Sequence, residues 1–422
     1  MKRAALHNLG CKVNAYETEA MQQILEADGY EIVNFSSEAD VYVINTCTVT
    51  NVADHKSKQM LHRARKKNPN AIIVAAGCYV QAFADQLKED GSVDVVIGNN
   101  QKTQLIEFIE EFKNGGKTEE VIDISKTKEF EPMQISKTAQ HTRAFLKIQD
   151  GCNQFCSYCI IPYARGHVRC REKEEILKEI QTLADTGYKE VVLTGIHLGS
   201  FPDLEDLVLE IAKIEGIHRI RLGSLEPRSI TDEFVRKLSN CKEFCPHFHL
   251  SLQSGSDTVL KRMNRHYTSD EYYKACELIR SAWTHPAITT DIIVGFPGET
   301  EEEFKQTCEF VKKVKFYEVH VFKYSRRKGT KADAMPDQVP EPIKTERSHE
   351  LIKIVSELSK EFRSYYIGKN VEILTEELVN GLRVGYTPEY VKCAVENKES
   401  NELVTVQVVD FLTEELLKGL AE

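Results

Sequence analysis

Ala144-Phe145-Leu146-Lys147-Ile148-Gln149-Asp150-Gly151-Cys152-Asn153-Gln154-Phe155-Cys156-Ser157-Tyr158-Cys159 is the stretch from which the rest of the chain is read. An apolar strand over residues 144–148 runs into three thiols within eight residues. Thiolates are soft ligands that select zinc or iron–sulfur clusters, and three of them just after a strand can fold onto one centre. Three ligands rather than four leave one position for a substrate or cofactor, as catalytic zinc sites do. The alternative is structural zinc with His167 or Cys170 as fourth ligand, but the paired Cys-x-x-Cys knuckles of such sites are missing.

C-terminal to this stretch, strand-like runs recur at residues 191–193, 217–222, 248–252, 288–294 and 319–322, with helical stretches between most of them. About six strand–helix units predict a partial (β/α)6 barrel of the TIM type, with chemistry at the C-terminal strand ends. N-terminal to it, strands at 4–9, 41–44, 71–76 and 93–97 alternate with helices at 16–27 and 55–67, the pattern of a parallel sheet. Cys11, Cys47 and Cys78 each follow one of the first three strands. The strand ends of a parallel sheet share one edge, where open α/β folds place ligands, so these thiols are expected to converge. The polar run at 113–142, with Gly115-Gly116 and Pro132, reads as a linker. A long helix over 341–366 precedes strand-like runs at 371–374, 391–395 and 403–409, punctuated by Gly381, Gly385 and Pro388, which read as a small β-barrel. The expected class is α/β: a parallel α/β domain at 1–113, a linker at 114–142, the partial barrel at 143–366 and the β module at 367–422.

A chain of 422 residues exceeds one compact core, and 41% apolar with 28% charged residues is ordinary for a soluble protein. No run of about eighteen uncharged apolar residues exists to span a membrane. Met1-Lys2-Arg3-Ala4-Ala5-Leu6-His7 turns polar too early for a secretory signal, so a cytoplasmic location is expected. In that reducing compartment twelve cysteines point to metal ligands and buried thiols rather than disulfides. A net charge of −10 argues against a general nucleic-acid coat and leaves room for a local basic patch.

The Cys-x-x-x-Cys-x-x-Cys spacing, with Tyr158 before the last cysteine, resembles the radical S-adenosylmethionine (SAM) superfamily. There the open iron of a 4Fe–4S cluster chelates the amino and carboxylate groups of SAM, and the reduced cluster cleaves the sulfonium to a 5′-deoxyadenosyl radical. The run Cys159-Ile160-Ile161-Pro162-Tyr163-Ala164-Arg165-Gly166 is similar to the methylthiotransferase branch. So are Leu9-Gly10-Cys11-Lys12-Val13-Asn14, Asn45-Thr46-Cys47 and Ala76-Gly77-Cys78, and the resemblance spans essentially the whole chain. It implies that Cys152, Cys156 and Cys159 hold the SAM-binding cluster and that Cys11, Cys47 and Cys78 hold a second, auxiliary 4Fe–4S cluster. For SAM it implies contacts from Tyr158, Gly195, Glu226, Ser251, Gln253, Asp291 and Gly295, with residues 250–255 and 291–299 as cradling strand ends.

One subgroup of the branch has Gln-Met-Asn after the first cysteine, and another, acting on a ribosomal protein, has Lys-Asn-x-x-Asp-Ser. Here the text is Cys11-Lys12-Val13-Asn14-Ala15-Tyr16 and Cys47-Thr48-Val49-Thr50-Asn51-Val52-Ala53-Asp54, similar to the tRNA N6-threonylcarbamoyladenosine subgroup. The implied reaction is methylthiolation of adenine C2 of that nucleoside at position 37 of tRNA. One SAM methylates sulfur and a second is cleaved to drive its insertion. The implied partners are the tRNA anticodon loop, an electron donor and a sulfur source. Gly385-Tyr386-Thr387-Pro388-Glu389-Tyr390 is similar to the TRAM domain such enzymes use for RNA. No acid or base is assigned. The competing readings are a relative acting on another tRNA adenosine or a ribosomal protein, and a non-catalytic zinc-containing RNA-binding protein.

For RNA, Lys56, Lys58, Arg63, Arg65, Lys66 and Lys67 form an acid-free stretch of helix suited to phosphate or merely to solvent. Arg165, Arg169, Arg171 and the TRAM-like tail read as a basic route past the cluster. The charges of residues 322–330 meet either phosphate or water, and Glu299 to Glu303 reads as the acidic first turn of a helix. Cys170 stands where relatives carry serine. Cys241, Cys245, Cys276, Cys308 and Cys393 read as buried structural thiols.

Overall fold

The computed structural model describes residues 2–88, 90–116, 121–137 and 142–421, so residues 117–120 and 138–141 of the expected linker lie outside the described residues. The first apolar runs pair as one parallel sheet of β1 (Arg3–Asn8), β2 (Glu31–Ile32), β3 (Val41–Thr46), β4 (Ile72–Gly77) and β5 (Val95–Ile97), in the order β2-β1-β3-β4-β5. All six residues of β3 are buried, as a central strand covered on both faces must be. Helices α1 (Lys12–Ala27), α2 (Asn51–Lys67) and α3 (Cys78–Lys88) connect the strands, and α4 (Leu105–Lys113) follows the last of them. Both α1 and α2 begin four residues before the apolar periodicity does. Cys11 caps the first in extended backbone, and Thr50 caps the second by accepting the Ala53 N–H. Residues 121–137 pack down: Ile124, Met133 and Ile135 are buried.

The middle of the chain runs through β6 (Arg143–Lys147), β7 (Gln149–Asp150), α5 (Ile161–Arg165), β8 (Arg169–Cys170), α6 (Lys173–Asp185), β9 (Glu190–Thr194), α7 (Leu204–Ile211), β10 (Arg219–Leu222) and α8 (Asp232–Leu238). It continues with β11 (His247–His249), α9 (Asp257–Arg262), α10 (Ser269–Ala282), β12 (Ala287–Val294), α11 (Glu301–Val314), β13 (Glu318–Lys323) and α12 (Glu341–Ser364). Strands β10-β9-β6 and β11-β12-β13 form two parallel sheets, joined by parallel bridges Ile220↔Phe244 and Leu225↔Leu250. Six parallel strands thus follow one another around a partial barrel, as the strand count predicts. Leu146, Leu193, Ile220, Phe248 and Ile292 are buried in one continuous core with the helices. The acidic run before α11 is a helix start, with a capping box between Thr300 and Glu303.

The tail closes into a five-stranded barrel of β14 (Asn370–Val379), β15 (Leu382–Tyr386), β16 (Lys392–Val395), β17 (Leu403–Phe411) and β18 (Leu417–Ala421). Two of these strands escape the sequence reading. Gly385 lies inside β15 because an added Cβ would stand 2.6 Å from the Leu374 carbonyl oxygen. It marks a close crossing of strands rather than a break. This barrel docks on the N-terminal ends of β6, β9 and β10. Arg219 donates to the Tyr386 carbonyl (2.6 Å), Arg221 to that of Pro388 (2.7 Å), and Arg143 pairs with Glu376 (2.7 Å). The Gly385–Tyr390 turn therefore sits at the opposite strand ends from the Cys152 loop, and gives no basic route past it.

Candidate functional site

The sheet delivers Cys11, Cys47 and Cys78 to one edge, at the ends of β1, β3 and β4. Gly10 is tight against the group: at φ +103°, its added Cβ would meet the Cys47 sulfur at 2.8 Å. Cys47 and Cys78 are buried. Cys11 faces open space yet is hemmed in by protein, and that burial raises its thiol, with the neighbouring Cys78 adding to the effect. Burial, then Cys78, pushes the Cys47 thiol up to about 12.

Cys152, Cys156 and Cys159 occupy the loop between β7 and α5, where Phe155 holds φ +48°. Burial raises Cys152 to about 11 and Cys159 to about 12, with Cys156 adding to the effect on each. Arg265 donates from Nη1 to the Cys156 sulfur at 3.2 Å, and its Nη2 pairs with Glu226 at 3.0 Å. Glu226 is held in turn by Gln154 (3.1 Å) and His197 (3.4 Å). Tyr267 donates to the Ser251 carbonyl and, at 2.9 Å, meets Arg265.

A cavity of about 220 Å³ lies where the two triads' loops approach each other. Tyr158, Cys159, Ile160 and Ile161 wall one side, Gln253, Asp291, Ile293 and Phe322 the barrel side, and Val49 and Thr50, just after Cys47, close it. Arg327, 2% exposed, fastens that last loop, bonding Asn51 (2.7 Å), Thr48 (2.6 Å) and Asp54 (2.7 Å). Gln253 carries φ +73°, a strained state for a non-glycine residue of the kind that collects at functional sites.

Of the residues expected to contact SAM, Tyr158, Gln253 and Asp291 line this cavity. Glu226 and Ser251 stand behind Cys156 through Arg265. The flank of Gly195 is filled by Gln149, and that of Gly295 by Lys344, while the Gly295 N–H is taken by Glu299. A side chain is thus excluded at both positions, and neither glycine lines the cavity. Arg165, Arg169 and Arg171, expected on an RNA route, are 0%, 3% and 3% exposed. Arg165 and Arg171 are ion-paired to Asp150 and Glu179, and Arg169 lies 3.7 Å from Asp150. In residues 322–330, Arg327 is likewise buried, and Lys323 and Arg326 pair with Glu341 and Asp333. On α2, Lys56, Arg63, Lys66 and Lys67 are exposed, Arg65 is held by Asp94, and Lys58 lies over the Tyr79 ring.

The sequence reading missed two histidines beside Asp291. His249, Asp291 and His320 come from three adjacent strands, and their ligand atoms lie within 4.8 Å of one another. Their period-two polarity on inward strand faces was the available signal. Among the described residues no cysteine triad meets that spacing. The donor set fits an iron–sulfur cluster, since each triad offers three thiols and a buried arginine N–H 3.2 Å from one sulfur. Because burial raises the thiols of Cys11, Cys47, Cys152 and Cys159, a metal must displace their protons, and loading releases them. Iron uptake by the metal-free protein should therefore be faster and tighter at pH 8 than at pH 6.5. Equal uptake at both, followed by absorbance during anaerobic reconstitution, would contradict this.

Residues 146–311 match the Radical SAM superfamily, and residues 3–98 match Uncharacterized protein family UPF0004. The chain is 43% identical over 429 residues to threonylcarbamoyladenosine tRNA methylthiotransferase MtaB of Bacillus subtilis (strain 168), covering 97% of this chain and 94% of that one. To the protein of the same name from Aquifex aeolicus (strain VF5) it is 39% identical over 402 residues, 91% and 97% of the two chains. Among solved structures, the radical SAM methyltransferase TsrM of Kitasatospora setae superposes with a TM-score of 0.58 at 15% identity, over 79% of this chain and 77% of that one, a likeness of fold. Identity of this extent along nearly the whole length decides the matter: the chain belongs to the radical SAM methylthiotransferase family.

Proposed function

We propose that this enzyme methylthiolates adenine C2 of N6-threonylcarbamoyladenosine at position 37 of tRNA. The observation that carries the reading is one cavity walled both by the loop ending at Cys159 and by the loop after Cys47. Radical SAM chemistry needs a 4Fe–4S cluster and SAM, and sulfur insertion needs a second cluster. In this reading Cys152, Cys156 and Cys159 hold the first, and Cys11, Cys47 and Cys78 the second. When bound, SAM and the clusters supply the radical that removes a hydrogen no protein base can take.

The chain's own residues do the placing. The Gln253 amide and Asp291 carboxylate offer polar partners to nucleoside hydroxyls, while Ile160, Ile293 and Phe322 give the cavity apolar walls. Arg265 orients the Cys156 sulfur. Arg327 keeps the Val49–Thr50 wall against the barrel, so the two loops keep one spacing. At the surface, Phe155 and Tyr163 are exposed beside the Cys152 loop, with ring centroids 5.7 Å apart. Splayed loop bases stack on such rings, and the exposed lysines and Arg63 of α2 suit the phosphates between them. An external electron donor and sulfur source complete the partners. None of the described helices is long and apolar enough to cross a membrane, and substrate tRNA argues for a cytoplasmic site of action.

Mass spectrometry of nucleosides after reaction of anaerobically reconstituted enzyme with SAM, reductant and tRNA decides the substrate. The threonylcarbamoylated nucleoside should gain one methylthio group. SAM cleavage with that nucleoside unchanged, or with another adenosine converted, would overturn the reading.

A further inference from the structure

Arg165 ends α5, six residues after Cys159, and is fully buried. All five of its N–H groups are spoken for. Nε donates to the Cys78 sulfur at 3.2 Å, Nη1 to Glu17 at 2.9 Å and Asp150 at 3.0 Å, and Nη2 to Asn14 at 2.6 Å and Glu17 at 3.1 Å. The partners lead to every cysteine loop. Asn14 donates in turn to the carbonyls of Leu9 (2.7 Å) and Thr46 (3.0 Å), which flank Cys11 and Cys47. Asp150 accepts from the Gly151 N–H at 2.8 Å, next to Cys152.

The charges around it are unbalanced. Lys102 and Lys147 reach Glu17 at 3.1 and 2.8 Å, and Lys147 also reaches Asp150 at 2.7 Å. Arg169 lies 3.7 Å from Asp150. Four buried cations thus face Glu17, Asp150 and the nearby Glu131. Cations outnumber carboxylates where buried charge is costly unless paired, and a set of cysteine thiolates supplies the missing negative charge. Hydrogen bonds to ligating sulfur and net local charge are the means by which proteins set cluster potentials.

We propose that Arg165 is a positioning residue that ties the two centres together and, through its N–H bond to the Cys78 sulfur, raises the reduction potential of the centre held by Cys11, Cys47 and Cys78. The proposal rests on the reading of that triad as a cluster site. Lysine in its place keeps the charge but presents three donors from one point, and cannot serve Cys78, Asp150, Glu17 and Asn14 together. Gln at Glu17 has the opposite consequence: it leaves Arg165 on Cys78 and removes a neutralising charge.

The test uses the full-length protein with Cys152, Cys156 and Cys159 replaced by alanine, so that the second centre is read alone by redox titration under paramagnetic resonance. Arg165→Lys should lower its midpoint potential and Glu17→Gln should raise it. Unmoved potentials, or shifts of the same sign, would reduce Arg165 to a tie between packed elements and overturn the proposal. If Arg165→Lys does not fold, Glu17→Gln decides alone. A parent protein that binds no iron would instead refute the second cluster site, and the proposal with it.

Discussion

Alanine at Cys152, Cys156 and Cys159 is expected to remove about four of about eight irons and to take SAM cleavage below detection. The three thiols are the donors of one loop, wedged between β7 and α5, with Arg265 bonded to Cys156 and Glu226 behind it. Cys170, the nearest spare thiol in sequence, leans on the Ser200 carbonyl at 3.8 Å and is raised by burial to about 11. Loss is therefore all or none. Iron assay and 5′-deoxyadenosine formation check it, and a variant that keeps full iron content would be incompatible with the assignment.

Alanine at Cys11, Cys47 and Cys78 should also halve the iron, yet leave SAM cleavage within about tenfold while methylthiolated nucleoside falls at least about a thousandfold. Such a split separates a group that makes the radical from one that presents sulfur, since a purely structural triad would take both activities down together. Cys47 and Cys78 are nearly inaccessible, 5% and 3% exposed, so a destabilised variant is the competing outcome. Retained 5′-deoxyadenosine formation excludes it. Methylthio product at the unaltered rate would remove Cys11, Cys47 and Cys78 from the chemistry.

The convergence of Cys11, Cys47 and Cys78 was legible because parallel strand ends must share an edge, a consequence of topology that needs no side-chain detail. The six barrel strands were legible for a similar reason, as apolar runs spaced by helices. Arg165 was not. Its text, a basic residue in an Arg-rich run, is the same whether it faces phosphate or a carboxylate, and its partners Glu17 and Asp150 lie 148 and 15 residues away. The same blindness hid Arg327, whose burial depends on Thr48, Asn51 and Asp54 across more than two hundred residues. Those three belong to the block whose text resembles the tRNA N6-threonylcarbamoyladenosine subgroup. The structure supplies a physical use for them: they anchor the wall of the cavity beside Cys47.

Gly195 and Gly295 show the converse. Small residues at strand ends were read as room for a flat ligand, whereas the space beside each is filled by Gln149 or Lys344. A glycine records that something comes close without saying what. His249, Asp291 and His320 likewise sit at inward positions of three different strands, and only the register Asp291↔His320 and the barrel's curvature bring them together.

Counting iron and acid-labile sulfide per chain in protein purified without oxygen reaches the centre of the account most directly. Two three-thiol centres of four irons each require about eight of both. About four of each, or zinc in place of iron, would mean that one triad or both hold something else.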